Sequence, residues 1–124
     1  MLKFKRLKSV ASKLAGVNIE LAWSTELKDV LGVLTEEYIL GKRFYRVILN
    51  ANEVKSERIA ICVICHELAH LELLKSGKDD KGEVLVEKQR DYLKRFAEEF
   101  KEYSFDELDK EMSYLQRKYG GYDR

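Results

Sequence analysis

An apolar stretch in the middle of the chain restricts the fold more than any other feature. Residues 59–65 read Ile-Ala-Ile-Cys-Val-Ile-Cys, and the helical spacing continues through Leu68, Leu71 and Leu74. Because the stretch is apolar on every side, it predicts a helix buried in the core. Ser56 is placed to cap this helix at its start, and Gly77 to end it. A chain of 124 residues is expected to form a single domain with one modest core.

The predicted buried helix carries the motif His66-Glu67-Leu68-Ala69-His70, which reads H-E-x-x-H. On a helix, positions i and i+4 lie on one face, so His66 and His70 can direct two imidazoles at one zinc ion. Glu67 is the next residue after the first histidine, where a carboxylate can take a proton from an attacking water. The motif therefore predicts a hydrolytic site with one Zn²⁺, held by His66 and His70, and Glu67 as the catalytic base.

A catalytic zinc site normally has three protein ligands and one open position. The chain has only two histidines, so the third ligand must be a carboxylate or a cysteine. Downstream, Glu87 and Asp91 form an i, i+4 pair on a predicted helix and so face the same side. Glu83, one turn before Glu87, is the rival carboxylate, although it also fits the capping position opposite Asp80.

The two cysteines allow two alternative interpretations of this segment. Residues 62–66 read C-x-x-C-H, the attachment motif of c-type haem. That reading leaves Glu67 and His70 without a role. A closed structural zinc site of Cys62, Cys65, His66 and His70 would take all four ligands from one helix, which makes a poor tetrahedron. The simplest interpretation is that both cysteines are small buried core residues.

The remaining patterns predict an α+β domain. We expect a first helix over Lys3–Ala15, a half-buried strand over Val17–Ser24, a short helix over Thr25–Leu31, two strands over Val33–Leu40 and Phe44–Leu49, and a hairpin at Gly41-Lys42-Arg43. A helix from an Asp80–Glu83 capping box to about Tyr103 should carry the apolar stripe Leu93, Phe96, Ala97 and Phe100. A last helix opens with a Ser104–Glu107 capping box, carries Phe105, Leu108, Met112, Leu115 and Tyr119 on one side, and ends at Gly120-Gly121.

The two motifs together resemble those of the gluzincin metallopeptidases. In that group, a helix after H-E-x-x-H supplies a glutamate ligand, and an aspartate four residues later hydrogen-bonds a ligating histidine. The resemblance implies that Glu87 is the third zinc ligand and that Asp91 orients a histidine. The order of elements in a short chain is similar to the minigluzincins, small proteins that resemble the catalytic core of CAAX-processing and heat-shock membrane proteases. The implied fold is a zincin-like minimal domain with a small three-stranded sheet, covering about Val17 to Tyr103.

The same resemblance implies latency, because known minigluzincins have a C-terminal segment that blocks the cleft. Residues 1–103 would then be the catalytic domain and residues 104–124 an autoinhibitory segment, acting within its own chain or by exchange in a homodimer. The competing interpretation is that the last helix completes the core. No motif identifies the residue that stabilises the oxyanion; the candidates are Arg90, Tyr92, Tyr103, Tyr114 and Tyr119.

The composition of the chain limits the classes of partner that can be expected. Lys plus Arg is 23 and Asp plus Glu is 22, so no charge excess indicates nucleic acid. No apolar run approaches the ~20 residues of a membrane helix, and no signal peptide is recognisable, which predicts a cytoplasmic protein without membrane insertion. The expected partner is a peptide or protein substrate. The alternatives are a non-catalytic scaffold or binding module stabilised by zinc, and a regulatory metallopeptidase that cleaves repressors, although members of that group commonly carry Ala-Asn where this chain has Lys88-Gln89-Arg90-Asp91.

Overall fold

The computed structural model describes residues 4–78 and 81–119. The elements, in chain order, are α1 (Phe4–Ala15), β1 (Ile19–Ser24), β2 (Gly32–Ile39), β3 (Lys42–Asn50), α2 (Glu57–Lys75), α3 (Gly82–Phe100) and α4 (Phe105–Tyr119). The predicted α+β class and three-stranded sheet are confirmed. Among the described residues, no helix is both long and apolar enough to cross a membrane.

The sheet has the order β1-β3-β2, with β3 in the centre. β1 pairs with β3 in parallel, so that Leu21 lies opposite Val47, whereas β2 pairs with β3 antiparallel. The β2–β3 hairpin turns at Leu40-Gly41, where both residues have positive φ, 51° and 78°. Two residues of positive φ make the tight turn that matches strand twist. The turn therefore lies one residue earlier than the sequence indicates, and Lys42 already belongs to β3.

The predicted short helix over Thr25–Leu31 is wrong. That segment contains no regular element, and Asp29 has a φ of 63°. The reason lies at the end of β3, where Asn50 is buried and donates hydrogen bonds to the carbonyls of Leu27 at 3.2 Å and Val30 at 2.8 Å. A helix would use these carbonyls internally, so their capture by a distant side chain favours an irregular loop.

Gly32 sets the distance between α2 and the sheet. A Cβ atom at this position would lie 2.6 Å from Cγ1 of Val63 on α2 and 3.0 Å from the carbonyl oxygen of Ile48. Both distances are shorter than a carbon contact tolerates. The absence of a side chain therefore lets α2 pack directly over β2 and β3.

Helix ends follow the predicted capping in two cases. Ser56 accepts a hydrogen bond from the amide of Ile59 at 3.2 Å and caps α2. Ser104 and Glu107 form a reciprocal capping box at the start of α4, at 3.0 and 3.1 Å. Asp80 lies outside the described residues; α3 has Lys81 as its N-cap without a side-chain hydrogen bond. The predicted Gly120-Gly121 stop also lies outside them.

The core sits between α2 and the surrounding elements. Leu7, Val10 and Ala11 of α1, and Leu108, Met112 and Leu115 of α4, are all buried in it. Two cations of α1 pair with neighbouring elements: Lys8 with Glu20 at 2.9 Å and Lys13 with Glu99 at 2.8 Å. The basic face of α1 is thus partly neutralised within the molecule.

Candidate metal centre

The H-E-x-x-H motif occupies the buried middle of α2. The side chains before it are in the core, and His66 and Glu67 are themselves only 2% and 7% exposed. His70 is half-buried. The motif thus begins inside the protein and ends near the surface, where a small molecule or ion can reach it.

The two histidines converge on one point. Their Nε2 atoms lie 3.1 Å apart. The rings are almost perpendicular, at 88°, with centroids 4.5 Å apart. Two nitrogen ligands at about 2.0–2.1 Å from a tetrahedral zinc are about 3.3 Å apart. The imidazole pair therefore has nearly the separation that a shared metal ion requires.

Gln89 of α3 also contacts His66. It is 1% exposed, and its side-chain oxygen Oε1 contacts Nδ1 of His66. A carboxamide oxygen can only accept, so a hydrogen bond at this contact requires the imidazole tautomer with its proton on Nδ1. The sequence signal for Gln89 was a polar residue within the apolar face of α3, one turn before Leu93.

Among the acidic residues that the structure describes, Glu67 is set apart by its burial. Loss of solvation raises the pKa of its carboxyl from the ordinary value of 4.5 to about 8. A carboxyl with a pKa near neutrality is suited to exchange a proton with a substrate.

The predicted α3 carboxylates lie elsewhere. Glu83, Glu87 and Asp91 are all exposed. Glu87 and Asp91 line a surface groove with Lys94 and Phe105, and Asp91 pairs with Arg95 at 3.6 Å. Across residues 4–78 and 81–119, no three His, Cys, Asp or Glu residues form a group that could hold a metal ion. Among the described residues, the two imidazoles are therefore suited to bind zinc, and Glu87 does not lie close to them.

The cysteines behave as core residues. Both are free and fully buried, and burial raises the pKa of each thiol. They do not form a four-ligand group with the two histidines in the described part of the chain. This agrees with the interpretation of Cys62 and Cys65 as small buried side chains.

Four of the five oxyanion candidates have partners away from the histidine pair. Arg90 pairs with Asp109, Tyr92 with Glu72, Tyr103 with Glu57 and Tyr119 with Glu53. Tyr114 is 47% exposed. None of these contacts joins a candidate to His66 or His70.

Comparison with known proteins gives no relative: no family model, no curated protein and no solved structure matches this chain.

Proposed function

We propose that the protein is a zinc-dependent hydrolase of peptide bonds of the gluzincin type. The observation that supports this most is the pair of Nε2 atoms 3.1 Å apart on His66 and His70, with a buried carboxyl at Glu67 between them in sequence. Two imidazoles and an adjacent acid on one helix supply two of the three usual protein ligands and the base of a metal-assisted hydrolytic site.

Each residue has a defined part in this proposal. His66 and His70 would hold the ion. When bound, zinc would polarise the scissile carbonyl and make water more acidic. Glu67 takes the proton from the attacking water and passes it to the leaving nitrogen. A cation held beside Glu67 would favour its ionised form, which a base requires, and would oppose the effect of burial.

An extended peptide is the substrate form that suits this fold. β2 is an edge strand of the sheet, and α2, the helix that carries the motif, packs against β2. A peptide can add to such an edge through backbone hydrogen bonds. The substrate class therefore remains peptides and proteins, with cleavage of a regulatory protein as a special case.

A non-catalytic zinc-stabilised module is the second candidate. It is favoured by one observation: the carboxylates predicted to complete the site are exposed on α3, and the α3 residue in contact with His66 is the neutral Gln89. A centre with two histidines and no carboxylate as third ligand would bind zinc less tightly. Such a centre would stabilise the fold or help to bind a partner.

Metal content and peptide cleavage distinguish these candidates. Purified wild type should hold one zinc, and His70→Ala should lose it; stoichiometric zinc in His70→Ala would show that the site is wrong. Glu67→Ala should keep zinc and lose cleavage of a peptide library. Zinc in both proteins with no cleavage by either would favour the non-catalytic module, provided that truncated forms are also inactive.

A further inference from the structure

We propose that Gln89 of α3 is a positioning residue for the histidine pair, because it fixes the tautomer of His66. Its importance for function rests on the proposed metal centre. The contact itself does not, because it joins two buried side chains of the chain's own core.

The contact between Gln89 and His66 selects the nitrogen that carries the imidazole proton. A neutral imidazole carries one proton, on Nδ1 or on Nε2. The Oε1 atom of Gln89 faces Nδ1 of His66, and it accepts a hydrogen bond but cannot donate one. The proton is therefore held on Nδ1, and the lone pair of Nε2 points toward Nε2 of His70. This is the tautomer that can bind a metal ion at the shared point.

Burial makes this selection effective. Gln89 is 1% exposed and His66 2%, so water competes poorly for either polar group. A buried carboxamide that loses its partner carries a desolvation cost of about 1–3 kcal/mol. The side chain of Gln89 is thus held to His66 both by the bond and by the cost of breaking it.

The rotation of α3 about its own axis determines which of its side chains face His66. Gln89 stands two positions after Glu87 and two before Asp91, and two residues correspond to about 200° around a helix. The face that presents Gln89 to His66 therefore turns Glu87 and Asp91 away, in agreement with their exposure. One turn before Gln89, the same face carries the buried Leu85. The inner face of α3 offers the centre a neutral acceptor in place of a carboxylate.

A positioning role for Gln89 and a ligand role for Glu87 predict opposite effects of mutation on zinc binding. If Glu87 is a ligand, Glu87→Gln abolishes zinc binding and Gln89→Met has a small effect. If Gln89 positions His66, Gln89→Met lowers zinc affinity by about 10–100-fold, the usual effect of removing a residue that orients a ligand. Glu87→Gln and Asp91→Asn are then matched controls on the same helix, with affinity unchanged.

The tautomer is measured directly in metal-free protein. Long-range ¹H–¹⁵N correlation spectra of ¹⁵N-labelled protein with chelator, at a pH where the ring is neutral, identify the protonated nitrogen. The chain has two histidines, so His70→Ala assigns the His66 signals. Wild type and Gln89→Glu, which keeps an acceptor oxygen, should show the proton on Nδ1. Gln89→Met, of similar size without a strong acceptor, should show a mixture or the proton on Nε2.

Each outcome decides the question. A wild-type proton on Nε2 overturns the proposal, as does an unchanged Nδ1 proton in Gln89→Met. If Gln89→Met does not fold, the wild-type and Gln89→Glu spectra decide alone. Wild type that takes up no zinc but shows the proton on Nδ1 would refute the proposed hydrolase and leave the role of Gln89 standing.

Discussion

The thiol of Cys62 lies 3.4 Å from the carbonyl oxygen of Leu108, so α4 rests on α2 one helical turn before His66. From there α4 continues along α2 in the opposite chain direction: Glu111 pairs with Arg58 at 3.4 Å, and Tyr119 contacts Glu53. The described part of the C-terminal segment therefore leads away from the histidine pair. Its position suits a helix that completes the core.

Removal of the whole C-terminal segment should destabilise the protein. Truncation after Tyr103 would delete the buried side chains of Leu108, Met112 and Leu115, and the loss of one such side chain alone costs about 2–5 kcal/mol. We expect a large fall in the urea midpoint, with Leu108→Ala reproducing part of it and the exposed Lys110→Ala almost none. A truncated protein as stable as wild type would show that α4 does not belong to the core.

A shorter truncation tests latency without this difficulty. Removal of residues 120–124 keeps every buried residue of α4, so the fold and zinc content should remain. If the C-terminal residues block the cleft, peptide cleavage should rise by at least tenfold. Tyr119→Phe, which only removes the hydrogen bond to Glu53, is the control. A folded, zinc-loaded truncated protein without increased cleavage would rule out inhibition by these five residues.

Glu67 should make the stability of the metal-free protein depend on pH. Its pKa is about 8 in the folded state and 4.5 ordinarily. Between these values the folded state binds the extra proton, so the free energy of unfolding should fall as pH rises from about 4.5 to about 8. Glu67→Gln removes this dependence. Denaturation with chelator at pH 5 and pH 8 should show wild type losing more stability than the variant; parallel losses would show that Glu67 is solvated.

Zinc should stabilise the wild-type fold. A ligand at 100 times its Kd raises the free energy of unfolding by about 2.7 kcal/mol. We therefore expect chelator to lower the midpoint of wild type and Glu67→Gln but to leave His70→Ala unchanged. An equal effect of chelator on His70→Ala would place the metal away from the histidine pair.

Gly32 should not tolerate a side chain. Gly32→Ala places a methyl group against Val63 and the Ile48 carbonyl, and overpacking of this kind costs about 1–3 kcal/mol. Val63→Ala removes the nearer contact, so the double variant should be less destabilised than the sum of the single ones. Additive losses would indicate that α2 and β2 can separate without cost.

Most of the fold could be predicted from local patterns. The buried helix, its Ser56 cap, the Ser104–Glu107 box and the hairpin all depend on residues close together in sequence. The loop over residues 25–31 could not, because its conformation depends on Asn50, about twenty residues away, which captures two of its carbonyls.

The residues of the candidate site could be predicted only in part, for a related reason. The pairing of His66 with His70 follows from helix geometry alone. The spacing of Glu87 and Asp91 correctly placed them on one face, but which face meets α2 depends on packing. The apolar stripe carries the information on rotation, since counting back one turn from Leu93 reaches Gln89, the α3 residue in contact with His66.

The two buried thiols give the chain internal reporters of its own motion. Cys62 and Cys65 are fully buried and held in the protonated form, so an alkylating reagent can react only during moments when α2 is uncovered. The rate of labelling thus measures the frequency of opening in the turn directly before His66. Comparing that rate with and without zinc, or after mutation of α4, would show how often the interior beside the histidine pair meets solvent.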